Sequence, residues 1–406
     1  MRSEIPNHLK NLPGSAGIPK KRPVEHSFAS LNLMRGLCAA TVLFSHTADS
    51  ISNGTPIVSF NFGSSAVDVF MLISGFLMMW HYCERQEFGE DWANPKTTLR
   101  FYIRRFFRIA PLYYTLLVLT YVFHGGLEHL ASENRLVFHP TYVAGPYNPT
   151  TSAVTVGNVV SHFTFAFGFI PRFAQSTCMP DWSIGLEMQF YLFFPLLALL
   201  LVRSEFLVGS ALLVILHAVS YQLFGVGVAA TPKIFGLFPY TTLLPFKLDC
   251  FLVGMLLASG FYEKGNPTKR NFLLILALLV AGIYMKKFLL ISFLFCLYET
   301  VLNFGTGMAM MDAQIMKLKT IMDHRLFKFM ADTSYGVYLI HIPVLSVVIW
   351  LLSHAGSFAE WPAWFRLMGC LATMLLVVYS LAFIAFKWIE SPGISLGRNI
   401  LRRIGK

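Results

Sequence analysis

Apolar runs dominate this chain and recur at lengths close to one bilayer crossing, about 20 residues each. They fall near 31–49, 64–82, 102–123, 183–202, 206–225, 243–261, 271–286, 288–308, 329–352 and 366–387. The pattern predicts an all-α, polytopic transmembrane helical bundle of about ten spans. Only Lys286 and Lys287 separate the seventh run from the eighth. The longest polar interval, about 124–182, is rich in Gly, Pro, Asn and Thr at YVAGPYNPTTSAVTVGN and turns apolar at HFTFAFGFIP. That second stretch is too short to span and reads as an interfacial or re-entrant helix. With no longer soluble stretch, any chemistry sits in or beside the membrane. The pattern contains no internal repeat and no inverted pair of interrupted helices.

Composition agrees with the pattern. The 406 residues are 55% hydrophobic and 13% charged, with a mean hydropathy of +0.58, too apolar for a soluble domain of this size. The net charge of +11 would suit nucleic acid, but its placement points to the membrane. With a cytoplasmic N-terminus, most of the 32 Lys and Arg fall on the inside. Only Arg135, Arg172, Lys233, Lys286, Lys287 and Arg366 lie outside, with Lys247 in a predicted span. This is a positive-inside bias with both termini cytoplasmic, and membrane lipid headgroups are the acidic partner. The organisation expected is a flexible basic cytoplasmic tail over 1–30, a membrane domain over 31–390 and a short basic cytoplasmic tail over 391–406. A signal peptide does not fit, because the first apolar run starts late and carries Arg35 and His46. Six scattered cysteines show neither a disulfide framework nor zinc spacing.

The ionisable residues within the apolar runs carry the functional signal, since such groups are costly at membrane depth. Arg35 and His46, in LMRGLCAATVLFSH, are eleven residues apart, which puts both on one helix face about 16 Å apart. By depth, Arg35, Arg104, Arg105 and Arg108 form a basic inner layer, with Arg105 and Arg108 on one face. His46, Asp68, Glu187, Lys247 and Asp249 form an ionisable outer layer, and His341 lies near the middle of the ninth run. Each has a plain reading beside a chemical one. Arg35 snorkels to headgroups, or it binds phosphate together with the RRFFR cluster. His46 is a satisfied structural histidine, or it is a general base. Glu187 or Asp68 orients that base, or one of them pairs with Lys247. His124, His129, His139 and His162 match no metal-ligand spacing, so no metal is expected. Ser74–Phe76 lacks a nucleophile elbow and reads as helix packing through small residues. Trp80, Trp350 and Trp388 read as interface anchors.

Taken in chain order, these residues resemble the acyltransferase 3 family of integral membrane acyltransferases, from about residue 28 to 392. The family's basic residue, ten residues and histidine fall on Arg35 and His46, and its second helix reads like VDVFMLISGF at Val67 to Phe76. Its spaced arginine pair followed by proline and tyrosine matches Arg105, Arg108, Pro111 and Tyr113. Its tryptophan-serine and glutamate signature matches Trp182, Ser183 and Glu187, continued by Gln189, Phe190 and Tyr191. SYGVYLIHIPV resembles its late element at Ser334, Tyr335, His341 and Pro343. The chain departs from the family at Asn32 and Leu33, where aspartate and glycine are frequent, and at Ile340 and Ile342, where an aromatic often flanks the histidine.

The resemblance implies transfer of an acyl group, usually acetyl, from cytoplasmic acyl-coenzyme A to a hydroxyl of a surface polysaccharide, lipopolysaccharide or related glycolipid. It implies a place in the cytoplasmic (inner) membrane of a bacterium. The residues expected to act are His46 as general base, Glu187 or Asp68 holding its tautomer, and Arg35, Arg105 and Arg108 on the donor phosphates. His341 is read as a structural hydrogen bonder before a second acid/base group. Two rivals stand beside this reading. One is a transporter in which His46 and Glu187 relay protons, against which the missing repeat and the arginine cluster count. The other is an acyltransferase acting on a small-molecule sugar or lipid.

Overall fold

The computed structural model describes residues 28–52, 62–87, 89–92, 94–139, 154–203, 206–220, 242–284, 289–304 and 308–404. Most of the expected N-terminal tail, much of the YVAGPYNPTT loop, and Lys233, Lys286 and Lys287 lie outside them. Among the described residues there is no β-strand. The helices are α1 (Ala29–Ser50), α2 (Phe62–Glu87), α3 (Pro95–Val122), α4 (His124–Phe138), α5 (Val156–Phe163), α6 (Trp182–Arg203) and α7 (Phe206–Ser220). They continue with α8 (Leu248–Tyr262), α9 (Pro267–Tyr284), α10 (Leu289–Phe304), α11 (Ala309–Met322), α12 (Arg325–His354), α13 (Ala363–Ala385) and α14 (Ser391–Ile404).

Each of the ten apolar runs contains a helix. By length and composition, α2, α6, α12 and the continuous run through α13 and α14 are able to cross a membrane. A fifth candidate is α3 with α4, bent by 75° between them. The other runs give helices that are shorter or, in α1, diluted by polar residues such as Ser30, Asn32, Arg35, Ser45, His46 and Thr47. The HFTFAFGFIP stretch forms the end of the eight-residue α5 and a 3-10 turn at Ala166–Phe169.

Four elements differ from the hydropathy pattern for local reasons. The third helix begins at Pro95, well before the apolar run. The Asn94 side chain caps it by accepting from the Lys96 N–H at 2.9 Å, and Pro95 sits where no N–H is needed. Arg105 and Arg108 therefore lie about 15–20 Å along the helix at 1.5 Å per residue, in its middle and not at its inner end. The polar segments HGGLEHLASENRLVF and AMMDAQIMKLKTIM fold as α4 and α11, for which no bilayer-length run gave notice. The expected C-terminal tail is the helix α14, joined to α13 by a π-helical turn at Phe386–Glu390.

Helix α1 packs between α2 and α12, α12 packs on α13, and α14 packs on α3. The most extensive contact is between α2 and α8, where two glycines let backbone meet backbone. A Cβ on Gly75 would stand 2.2 Å from the Phe251 carbonyl oxygen, and one on Gly254 would stand 2.1 Å from that of Leu72. Small residues permit such approach when helices associate in lipid. Tight aromatic packing continues the seam, with Phe190 stacked on Phe251 at 4.0 Å between centroids. Trp80 stands in an aromatic cluster, 4.9 Å from Phe28 and 5.1 Å from Tyr262, so it packs against protein.

The seam predicts that Gly254→Val cannot be absorbed by side-chain motion, because the clash is with backbone. Overpacking there should cost roughly 3 kcal/mol or more, read as a lowered thermal midpoint of the purified protein in detergent. A midpoint equal to the parent's would show that α2 and α8 do not cross at Gly254.

Candidate functional site

Helices α1, α2, α3, α6 and α12, with Phe251 of α8, line a partly open cavity of about 160 Å³. It is lined by Arg35, Arg105, Arg108 and Glu187, so the residues expected to bind phosphate meet there. Ser74, Ser183, Tyr191, Ser334, Tyr335 and Tyr338 add hydroxyls to a wall that is otherwise apolar, at Val67, Phe70, Met71, Ile109 and Ile184 among others.

Each guanidinium is held differently. Arg35 donates to the Ser334 hydroxyl at 3.3 Å. Arg105 lies over the rings of Phe101 and Tyr191, at 5.8 and 5.7 Å from their centroids, an arrangement that attracts a cation to the ring face. Its Nε is buried and has no hydrogen-bond partner among the described residues. Arg108 donates to the carboxylate of Glu390. Glu390 is only 1% exposed and reaches Arg108 because of two local features. The π-helical turn ends on it, and Gly393 and Gly397 seat the next helix against Pro111 and Phe107 of α3. Arg104 points elsewhere and lies 3.9 Å from Glu90.

Glu187 accepts from Ser74 Oγ at 3.0 Å and from the Tyr191 hydroxyl. It thus belongs with the arginines, and the division into an inner basic and an outer ionisable layer does not hold for it. The cause is position along the helices: Arg105 and Arg108 lie in the middle of α3 and Glu187 on the second turn of α6, and both reach the cavity. Ser74, read from the sequence as a packing residue, is one of its donors.

His46 and Asp68 are not among the residues lining the cavity. Asp68 accepts from Lys247 Nζ at 2.5 Å, the ion pair that the sequence left open. Glu187 is therefore tied to Ser74 and Tyr191, and Asp68 to Lys247. The ring beside His46 is His341, with centroids 5.2 Å apart and planes at 37°. Tyr338 joins the two regions. It lines the cavity, its hydroxyl accepts from Ser183 Oγ at 2.8 Å, and its carbonyl oxygen accepts from His341 Nδ1 at 2.6 Å.

Arg35 and His46 do share the face of α1 that the eleven-residue spacing predicts, since both meet α12, at Ser334 and His341. Among the described residues no three His, Cys, Asp or Glu side chains are grouped as for a metal ion. His124 and His129 instead lie beside Glu128 and Glu133 on their own helix.

A family model described as an acyltransferase domain matches residues 28–383. No curated protein and no solved structure gives a significant match.

The Arg108–Glu390 pair, whose carboxylate is buried and whose guanidinium is partly exposed, makes a prediction that is independent of activity. Arg108→Ala leaves the Glu390 charge without its partner and should destabilise the protein by about 3 kcal/mol. The double variant R108A/E390Q should recover most of that loss, read as thermal midpoints in detergent. Equal midpoints for the single and double variants would show that the two charges do not compensate one another.

Proposed function

The chain belongs to the acyltransferase 3 family and is a membrane acyltransferase, and we propose that it is an O-acetyltransferase. The donor is cytoplasmic acetyl-coenzyme A, and the acceptor is a hydroxyl of a surface polysaccharide, lipopolysaccharide or related glycolipid. The same reading has ten spans with both termini in the cytoplasm, in the inner membrane of a bacterium. The positive-inside distribution of Lys and Arg supports that orientation.

The observation that carries the proposal is the charge of the cavity. Three guanidiniums face it against the single carboxylate of Glu187, and the partner of Arg108 adds one more negative charge from outside the lining. The surplus is positive and includes a buried Arg105 N–H without a hydrogen-bond partner among the described residues. A site of this kind suits an anion with several acceptor oxygens, as on the phosphates of a coenzyme. Its apolar walls suit the uncharged arm that follows them.

Catalysis is then a matter of delivering the thioester from the arginines toward His46. The two are separated by about 16 Å along α1, the order of a pantetheine arm. There the acceptor hydroxyl attacks the thioester carbonyl carbon while the His46 imidazole takes its proton. The tetrahedral intermediate collapses by breaking the carbon–sulfur bond, and the imidazolium returns the proton to the thiolate. Glu187, held by Ser74 and Tyr191, sets the shape and charge of the donor cavity. Asp68, paired with Lys247, anchors α2 beside it.

His46→Ala should abolish acetyl transfer while the protein still inserts and binds acetyl-coenzyme A, as seen by thiol release and by calorimetry on the purified protein; full turnover would sink the base role. Exchanging Arg105 and Arg108 for Gln should weaken donor binding by 10-fold or more, on the order of 1.5–3 kcal/mol for charge-assisted hydrogen bonds, and unchanged affinity would reject the phosphate seat. Deleting the gene should remove one acetyl mass from surface glycans, and glycans of unchanged mass would reject this acceptor class.

A further inference from the structure

His341 lies beside His46 and outside the proton path just described. It is fully buried, and its two ring nitrogens have different surroundings. Nδ1 lies 2.6 Å from the Tyr338 carbonyl oxygen. A carbonyl only accepts, so Nδ1 carries the hydrogen and Nε2 is left with its basic lone pair. Nε2 is buried and has no hydrogen-bond partner among the described residues. Buried polar atoms are nearly always hydrogen-bonded, so a histidine that served only to tie α12 together would be expected to use both nitrogens. This one keeps its basic nitrogen free beside a second imidazole.

The backbone explains the meeting. Ser334, Tyr338 and His341 stand at i, i+4 and i+7 of α12, on one face, and Arg35 and His46 of α1 meet that face at its two ends. The helix that holds Arg35 through Ser334 thereby also brings His341 against His46.

We propose that His341 is a second acid/base group of the transfer reaction, sharing the acceptor's proton with His46. This rests on the acyl-transfer reading above. The acceptor oxygen bonds to the thioester carbonyl carbon and its proton goes to His46. In the same step His46 passes the proton on its other ring nitrogen to His341 Nε2, which holds it while the carbon–sulfur bond breaks. The proton returns by way of His46 to the thiolate sulfur, so that ester and free thiol are the products and both rings end neutral. Two imidazolium ions 5.2 Å apart in an apolar bundle repel strongly, so the pair carries one extra proton at a time and gives it back within each turnover.

Asparagine separates this role from a structural one. Its side-chain N–H stands in for Nδ1–H and keeps the bond to the Tyr338 carbonyl, but it has no counterpart of Nε2. The full-length protein in nanodiscs is supplied with acetyl-coenzyme A, and thiol release is followed together with donor affinity and thermal midpoint. H341N should bind acetyl-coenzyme A and melt as the parent does, yet release thiol about 100-fold more slowly. H341N at the parent's rate, with H341A slow, would assign His341 to the scaffold and overturn the proposal alone. A parent protein that neither binds nor cleaves acetyl-coenzyme A would overturn the acyl-transfer reading and this proposal with it. A second measurement needs no variant. In mixtures of light and heavy water the parent's rate should depend on deuterium fraction along a curve, as for two protons in motion, and a straight line would overturn the proposal even if H341N failed to fold.

Discussion

Three guanidiniums in the middle of an apolar bundle are the constraint to which the rest of this molecule answers. An uncompensated charge at such depth costs several kcal/mol, so each arginine is matched by a feature built elsewhere in the chain. Arg35 has a serine one helix away, Arg105 has two aromatic faces, and Arg108 has a glutamate from the far end of the sequence. The last match draws in the most structure. A π-helical turn and two glycines four residues apart exist where they must for Glu390 to reach α3. Buried ion pairs are often no more stabilising than well-packed apolar residues of similar size. Stability alone therefore gives little account of the Arg108–Glu390 pair, whereas a positive cavity is what the proposed donor requires.

The sequence was most informative where one physical signal dominated. Apolar runs of bilayer length announced every long helix, because the cost of unsatisfied backbone in lipid leaves few alternatives. The eleven-residue spacing of Arg35 and His46 placed them on one face for the same kind of reason, a fixed rise and rotation per residue. Legibility ended where partner choice depends on packing between distant segments. Nothing in the spacing of Glu187 says that it meets Ser74 and the arginines, since that follows from where α2 and α6 cross and from the cap at Asn94 that lengthens α3. Lys247 and Asp68 were available to each other in the sequence, but so were other pairs. Glu390 left one trace, an isolated acidic residue after the last apolar run, which surface chemistry explains just as well until its burial is seen.

The two histidines show a subtler limit. His46 drew attention as an ionisable group on an apolar helix, whereas His341 looked like a residue that packing would satisfy. The distinction between them rests on a single unused nitrogen, and hydrogen bonds to individual ring atoms are invisible in a one-dimensional pattern. Tyr338 is in the same position. It bridges the cavity, Ser183 and His341 through three different atoms or faces, none of which an alternation of polar and apolar residues encodes.

The seam between α2 and α8 bears on how such a site diversifies. Where main chain lies on main chain, no side chain is left to trim or enlarge, and neither helix slides past the other without loss of contact along its length. The wall carrying Ser74 and Phe251 is consequently locked in register. Any change to the cavity therefore falls to the side chains that project from this frame, Phe70 and Met71 for instance, which set its volume and polarity while the backbone beneath them stays in place.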